Sequence, residues 1–213
     1  KTFFGKKLNK LRYGENPHQE SSIYTSGLKD NSLSVKKISG KDLSYNNYND
    51  IYATLDILQS EKKIPTTVIT KHANPCGVSS NRSPLISFKN SKASDPISSF
   101  GGVVACNFKI NLKLALEIQK TFFEVLMAKG FDKNALNLLK KKKNMRIIDI
   151  SKITEDKKIK IKSFGNTFIL QDRDSIIFPA SKDWSMKCIV VPCAVSLFLI
   201  AQVAQCLPLY FSL

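Results

Sequence analysis

Short apolar runs alternate with helical periodicities along this chain, and that order predicts an α/β layered fold, a sheet with helices on its flanks. Thr66 to Thr70, TTVIT, is a β-branched run after Pro65 and reads as a short buried strand. Further strands are expected at Val103 to Cys106, Glu124 to Met127 and Met145 to Ile150. Between them Asn111 can cap a helix whose Leu112 and Leu116, and Leu114, Ile118 and Phe122, recur at four-residue spacing, and Asp132 to Lys142 reads as another.

From the N-terminus, the first compact polar segment is LRYGENPHQ, Leu11 to Gln19. It gathers the Arg12 guanidinium, the Tyr13 phenol, an amide and the His18 imidazole within a few residues, a set suited to a phosphorylated or heterocyclic ligand. An irregular surface loop would carry the same letters. Asp50 to Lys62 then reads as a helix with Ile51, Leu55 and Leu58 on one face and Asn49 as its cap.

KHANPCG, Lys71 to Gly77, follows the first strand and contains one of only two histidines in the chain. Lys71 and His72 stand at the carboxyl end of that strand, where α/β sheets build their sites. Strand neighbours point to opposite faces, so both serve one substrate only if the chain leaves strand geometry near His72. Pro75 biases Asn74 towards extended backbone and Gly77 can take a positive φ, so a sharp turn is expected just past the pair. The bland alternative is a hydrogen-bonded turn histidine beside a solvated lysine.

Farther on, SDPISSFGGVVACN, Ser94 to Asn107, sets Phe100, Gly101 and Gly102 before an apolar strand. Paired glycines there let backbone amides approach a ligand, or simply serve a loop that needs positive φ. The lysine-rich segment Ser151 to Ser163 is the expected exposed connection.

The last stretch differs from the rest, since none of the 26 residues from Cys188 to Leu213 is charged. Three readings are open. About 20 apolar residues suffice to span a bilayer, but Pro192, Gln202, Gln205 and Pro208 interrupt this run. It could instead form a buried helix and strand, or be a coding artefact such as a shifted reading frame or truncation, which is the reading we favour.

A chain of 213 residues with 43% hydrophobic composition can bury one substantial core. Its five cysteines, three of them in the apolar tail, form no disulfide framework, which fits a reducing cytoplasm. KTFFGKKLNKLRYG has no apolar core of signal-peptide length. The net charge of +16 comes from 33 basic against 17 acidic residues, with runs such as Lys140 to Lys143 that read as solvated faces. Such charge would help draw in anionic substrates.

LRYGENPHQ, GKDLSYNN at Gly40 to Asn47, KHANPCG, SDPISSFGGVVACN and ILQDRD at Ile169 to Asp174 together resemble one family, the bifunctional purine biosynthesis protein that is aminoimidazole carboxamide ribonucleotide (AICAR) transformylase and IMP cyclohydrolase. The order matches the transformylase domain over about Leu11 to Asp174. The resemblance implies a partial AICAR transformylase domain at 1–178, an atypical tail at 179–213, and no cyclohydrolase domain within this chain. It also implies a cytidine-deaminase-like α/β architecture, a cytoplasmic homodimer, and formyl transfer from 10-formyltetrahydrofolate as cosubstrate to AICAR.

Residue by residue, the resemblance makes His72 the general base that takes a proton from the 5-amino group, and Lys71 the cation that stabilises developing charge. It makes Arg12, Tyr13, Gly101 and Glu124 contacts to the nucleotide. The family's later segments, similar to KSNAI and DAFFPF, are not found in this sequence. The chain as written is therefore expected to bind AICAR weakly and to show no turnover.

Zinc deaminases combine H-x-E with P-C-x-x-C, whereas here His72 is followed by Asn74 and Cys76 by Ser79, so no metal is expected and a deaminase relative would be zinc-free. A basic nucleic-acid-binding module without catalysis would account for the charge. It would leave the histidine motifs unexplained and has no stacking box, so neither nucleic acid nor membrane is expected as a partner.

Overall fold

The computed structural model describes residues 5–25, 36–153, 160–164 and 167–171. β1 (Lys6–Lys10) pairs antiparallel with β2 (Ser22–Thr25), and the LRYGENPHQ segment is the irregular connection between them. Then follow β3 (Lys36–Ser39), α1 (Tyr45–Leu58), β4 (Thr66–Lys71), β5 (Asn74–Ser80), α2 (Pro84–Ser94), β6 (Val103–Cys106), α3 (Leu112–Ile118), β7 (Val125–Ala128), α4 (Lys133–Lys140) and β8 (Arg146–Asp149). A separate antiparallel pair is formed by β9 (Lys160–Phe164) and β10 (Thr167–Gln171).

The main sheet has six strands in the order β3-β8-β7-β6-β4-β5. β6, β7 and β8 run parallel, joined by α3 and α4 as crossover helices, whereas β3, β4 and β5 pair antiparallel with their neighbours. The protein is thus α/β with a mixed sheet and helices on both faces.

Strand alternation sends successive side chains to different cores. Val68, Val103, Ala105, Val125, Met127 and Ile148 pack with Ile51, Leu55 and Leu58 of α1. The intervening Ile69, Val104, Cys106, Leu126, Ala128 and Ile147 pack with Phe88 of α2, Leu114 and Ile118 of α3 and Leu139 of α4. Burial on both faces explains why the central strands read as unbroken apolar runs.

Several boundaries differ from the sequence expectation. α1 begins at Tyr45 rather than Asp50, because Ser44 caps it: the Ser44 hydroxyl accepts from Asn47 N–H, and the Asn47 side chain answers by accepting from the Ser44 N–H. Asn49 is an ordinary helical residue. Asn111 does cap α3, accepting from Leu114 N–H at 2.9 Å, but the helix stops at Ile118, short of Phe122. Glu124 immediately precedes β7.

The turn after Lys71 also lies elsewhere. Asn74 to Ser80, including NPCG, is strand β5, and the reversal is made by His72 and Ala73. Gly77 has no positive φ; its hydrogen is needed because a side chain there would collide with the Ser91 carbonyl oxygen of α2. Part of the expected connection Ser151 to Ser163 is strand, since β9 begins at Lys160, and residues 179–213 lie outside those described. No described helix is long and apolar enough to cross a membrane.

Candidate active site

β4 runs opposite to β6, so its carboxyl end meets the amino ends of β6, β7 and β8. In register, Thr70 faces Val103, Val103 faces Val125, and Val125 faces Arg146. Lys71, Gly102 and Glu124 each lie one residue beyond this row, so the ends of three neighbouring strands present the sequence-predicted groups side by side. At ordinary strand spacing Lys71 and Glu124 are separated by roughly 10 Å across the sheet. The candidate site therefore lies at the carboxyl end of β4 but the amino ends of the parallel strands, the reverse of the crevice expected from parallel-sheet folds.

His72 and Ala73 form the two-residue reversal with φ of 53° and 59°, the only positive-φ residues other than glycine among those described. Positive φ at both positions suits the twist of a hairpin but costs a non-glycine residue on the order of 1 kcal/mol each. The reversal answers the geometric question left by the sequence: the chain leaves strand geometry at His72, whose side chain is exposed. Lys71 is half-buried, and its ammonium donates to the Phe100 carbonyl at 3.0 Å.

Around that carbonyl the loop before β6 is held by backbone bonds. Gly101 N–H donates to Phe122 O at 2.9 Å, and Glu124 N–H donates to Gly102 O at 3.0 Å. Gly101 has a φ of +77°, which glycine adopts without strain. Gly102 is needed for close approach, since a Cβ there would lie 2.6 Å from the Thr70 carbonyl oxygen. Phe100, exposed, stacks at a tilt on Phe122 with ring centroids 5.6 Å apart.

Glu124 lies beside the amino-terminal turn of α1. Its carboxylate accepts from the buried Asn47 side-chain amide at 2.9 Å and faces the Arg146 guanidinium at 3.6 Å. The first turn of α1 contains no acidic residue of its own, and Glu124 brings a negative charge to that positive helix end.

Asp50, one turn further along α1, accepts from Ala73 N–H at 2.7 Å. Burial pushes its carboxyl above the usual aspartate range, with the Glu124 charge adding to the effect, while the Ala73 and His72 amides and the His72 side chain pull against it. Thr54 donates to the Asp50 carbonyl at 2.6 Å and pairs with the Thr70 hydroxyl of β4, so helix and strand are joined by fully buried hydroxyls.

Arg12 and Tyr13 sit on the loop between β1 and β2, which bonds largely to itself through Gln19. The exposed Arg12 guanidinium lies 5.6 Å from the centroid of the Tyr13 ring. Glu15 O accepts from the Asn46 side chain at 3.3 Å, which ties this loop to the start of α1. The structure thus gathers Lys71, His72, Gly101 and Glu124 at one sheet end, and the Asn46–Glu15 bond ties the Arg12–Tyr13 loop to the start of α1. His18 is exposed on that loop.

Sequence reading missed Asp50, Asn47 and Arg146. Asn47 lies in the quoted GKDLSYNN segment, and the doubled Asn46-Asn47 before a helical pattern was its available signal; nothing local marked Asp50 or Arg146. Among the described residues no cluster of three or more His, Cys, Asp or Glu is placed to hold a metal. Cys106 is fully buried and its thiol is pushed up to about 12, which removes it as a nucleophile.

A family profile described as AICARFT/IMPCHase bienzyme matches residues 1–193. Among similar proteins, each described as bifunctional purine biosynthesis protein PurH, that of Caldicellulosiruptor saccharolyticus is 41% identical over 172 residues, covering 78% of this chain and 33% of the relative. That of Buchnera aphidicola subsp. Schizaphis graminum is 42% identical over 173 residues, covering 79% and 33%, and that of Rhodospirillum rubrum is 39% identical over 176 residues, covering 81% and 33%. The chain spans about one third of the length of these relatives. With the profile matching nine-tenths of its length, the chain belongs to the AICARFT/IMPCHase bienzyme family.

Proposed function

We propose that residues 1–178 form the first part of an AICAR transformylase domain, which transfers the formyl group of 10-formyltetrahydrofolate to the 5-amino group of AICAR in purine biosynthesis. The observation that carries the reading is the placement of Lys71 and His72 at the end of β4, beside Gly101 and Glu124 at the amino ends of β6 and β7. The 5-amino group of AICAR is conjugated into its ring and is a poor nucleophile, so a base and a charge acceptor must act together.

In this reading the exposed His72 imidazole takes the amine proton as the nitrogen bonds to the formyl carbon. Lys71 balances the negative charge that gathers on the formyl oxygen. Collapse then breaks the bond from the formyl carbon to the folate nitrogen, which leaves with a proton as tetrahydrofolate. Lys71 suits the role because its partner among the described residues is a neutral carbonyl, which it can exchange for substrate at little cost. Arg12 and Tyr13 offer a planar cation and an aromatic face to the nucleotide, and Glu124 accepts hydrogen bonds from it.

The domain is expected to act as a cytoplasmic homodimer, without nucleic acid and with no activity from the 213-residue chain alone. The test is direct: a full-length family protein containing this domain is given AICAR and 10-formyltetrahydrofolate, and formation of tetrahydrofolate and formyl-AICAR is followed. Failure to form either product would remove the proposal.

A further inference from the structure

The two left-handed residues at the tip of β4 do not hold themselves. Neither is glycine, neither is the asparagine or aspartate usual in such turns, and Ala73 has no side chain that could stabilise the conformation locally. What meets the turn is Asp50, whose carboxylate accepts the Ala73 N–H at 2.7 Å from the neighbouring helix. That helix is itself fastened to β4 by the Thr54–Thr70 hydroxyl pair and by the packing of Ile51 and Leu55 against Val68, so the acceptor is delivered from a rigid element rather than a loop.

We propose that Asp50 is a positioning residue for His72: by holding the Ala73 N–H it keeps the His72–Ala73 turn left-handed and so sets where the imidazole stands. Asp50 touches no substrate in this scheme; it acts through the backbone on which His72 is carried. A network of Thr70, Thr54 and Asp50 thereby couples the last residues of β4 to α1, and through the α1 end to Asn47 and Glu124. The inference rests on the reading of His72 as the base, but the geometry of the turn can be measured without any turnover.

The first measurement is the amide proton shift and the HN–Hα coupling of Ala73 in the 213-residue chain. Asp50→Asn retains an oxygen acceptor of the same shape and should keep the wild-type signals. Asp50→Ala should move the amide proton upfield and change the coupling away from its positive-φ value. The same substitutions in a full-length family protein should lower kcat by about 10²-fold for Asp50→Ala, the usual result of misplacing a reacting group by about 1 Å, with KM for AICAR little changed and Asp50→Asn restoring most of the rate. Adding Ala73→Gly to Asp50→Ala should recover part of the loss, because glycine accepts positive φ without help.

Unchanged Ala73 signals in Asp50→Ala would overturn the proposal, as would failure of both Asp50→Asn and the added Ala73→Gly to restore rate while the backbone at position 73 kept its positive φ. If Asp50→Ala alone does not fold, the Asp50→Ala/Ala73→Gly double variant and Asp50→Asn decide the matter. A His72→Ala protein that turns over normally would instead sink the catalytic reading, whatever the turn does.

Discussion

The side-chain amide of Asn47, buried in the first turn of α1, donates to the Glu124 carboxylate at 2.9 Å, joining a helix start to the residue before β7 across 77 positions of sequence. Glu124→Gln keeps an acceptor for Asn47 and removes only a part-exposed, loosely set charge pair with Arg146 at 3.6 Å, so its stability cost should be about 0–1 kcal/mol. Glu124→Ala strands the buried amide and should cost about 1–3 kcal/mol. Urea denaturation separates the two. Both variants should weaken AICAR binding by about tenfold or more, the size of one charge-assisted hydrogen bond, and unaltered affinity in calorimetry would take Glu124 out of the site.

His72→Ala in a full-length family protein should lower formyl transfer by about 10² to 10⁴, the range for losing a positioned base, while nucleotide affinity stays nearly constant. Single-turnover kinetics at saturating AICAR is the check. A parallel rise in KM with kcat intact would make His72 a binding group instead.

Arg12 projects from a loop that needs no help from its side chain to keep its shape, since Gln19 supplies the internal bonds. Arg12→Ala should therefore leave stability alone and weaken AICAR binding by about 1.5–3 kcal/mol, and lysine should substitute poorly because it lacks the planar fork. Equal dissociation constants for the arginine, lysine and alanine forms would return Arg12 to the ordinary protein surface.

At Gly77 the obstacle to a side chain is backbone, the Ser91 carbonyl oxygen of α2, which cannot rotate aside. Gly77→Ala should cost about 1–3 kcal/mol or more, as overpacking does, and should lower the urea midpoint without changing the slope. A midpoint equal to that of the parent would mean that α2 shifts freely over β5.

Stability should also carry a pH signature from Asp50. Its carboxyl is raised in the folded protein above the ordinary value of 3.8, chiefly by burial, so the folded state holds this proton more tightly than the unfolded one. The stabilisation is complete below 3.8 and is lost as pH rises through the raised folded value. Asp50→Asn has no such proton, so it should gain stability relative to the parent as pH rises from about 3.5 to 7. Urea midpoints that run parallel across that range would contradict the assignment.

Much of this was legible in residue order because it depends on local rules. A β-branched run favours the strand found at Thr66 to Lys71, Asn111 caps α3 with its own side chain, and apolar runs of strand length became β6, β7 and β8. The adjacency of Lys71 and His72 is likewise a covalent fact. α2 was not legible because it has no apolar stripe: it packs through Ser87, Phe88 and Ser91, and its close seat on β5 depends on a glycine one strand away. The left-handed turn at His72 and Ala73 was invisible for a related reason, since alanine does not favour it and the carboxylate that accepts the Ala73 N–H, Asp50, comes from another element. Sequence by itself determined strands β4, β6, β7 and β8, the α3 cap and the chemical groups, through propensities acting over a few residues. Only tertiary structure decided where those groups meet, because hydrogen bonds from α1 to the end of β4, to the His72–Ala73 turn and to Glu124 join residues that lie far apart in sequence.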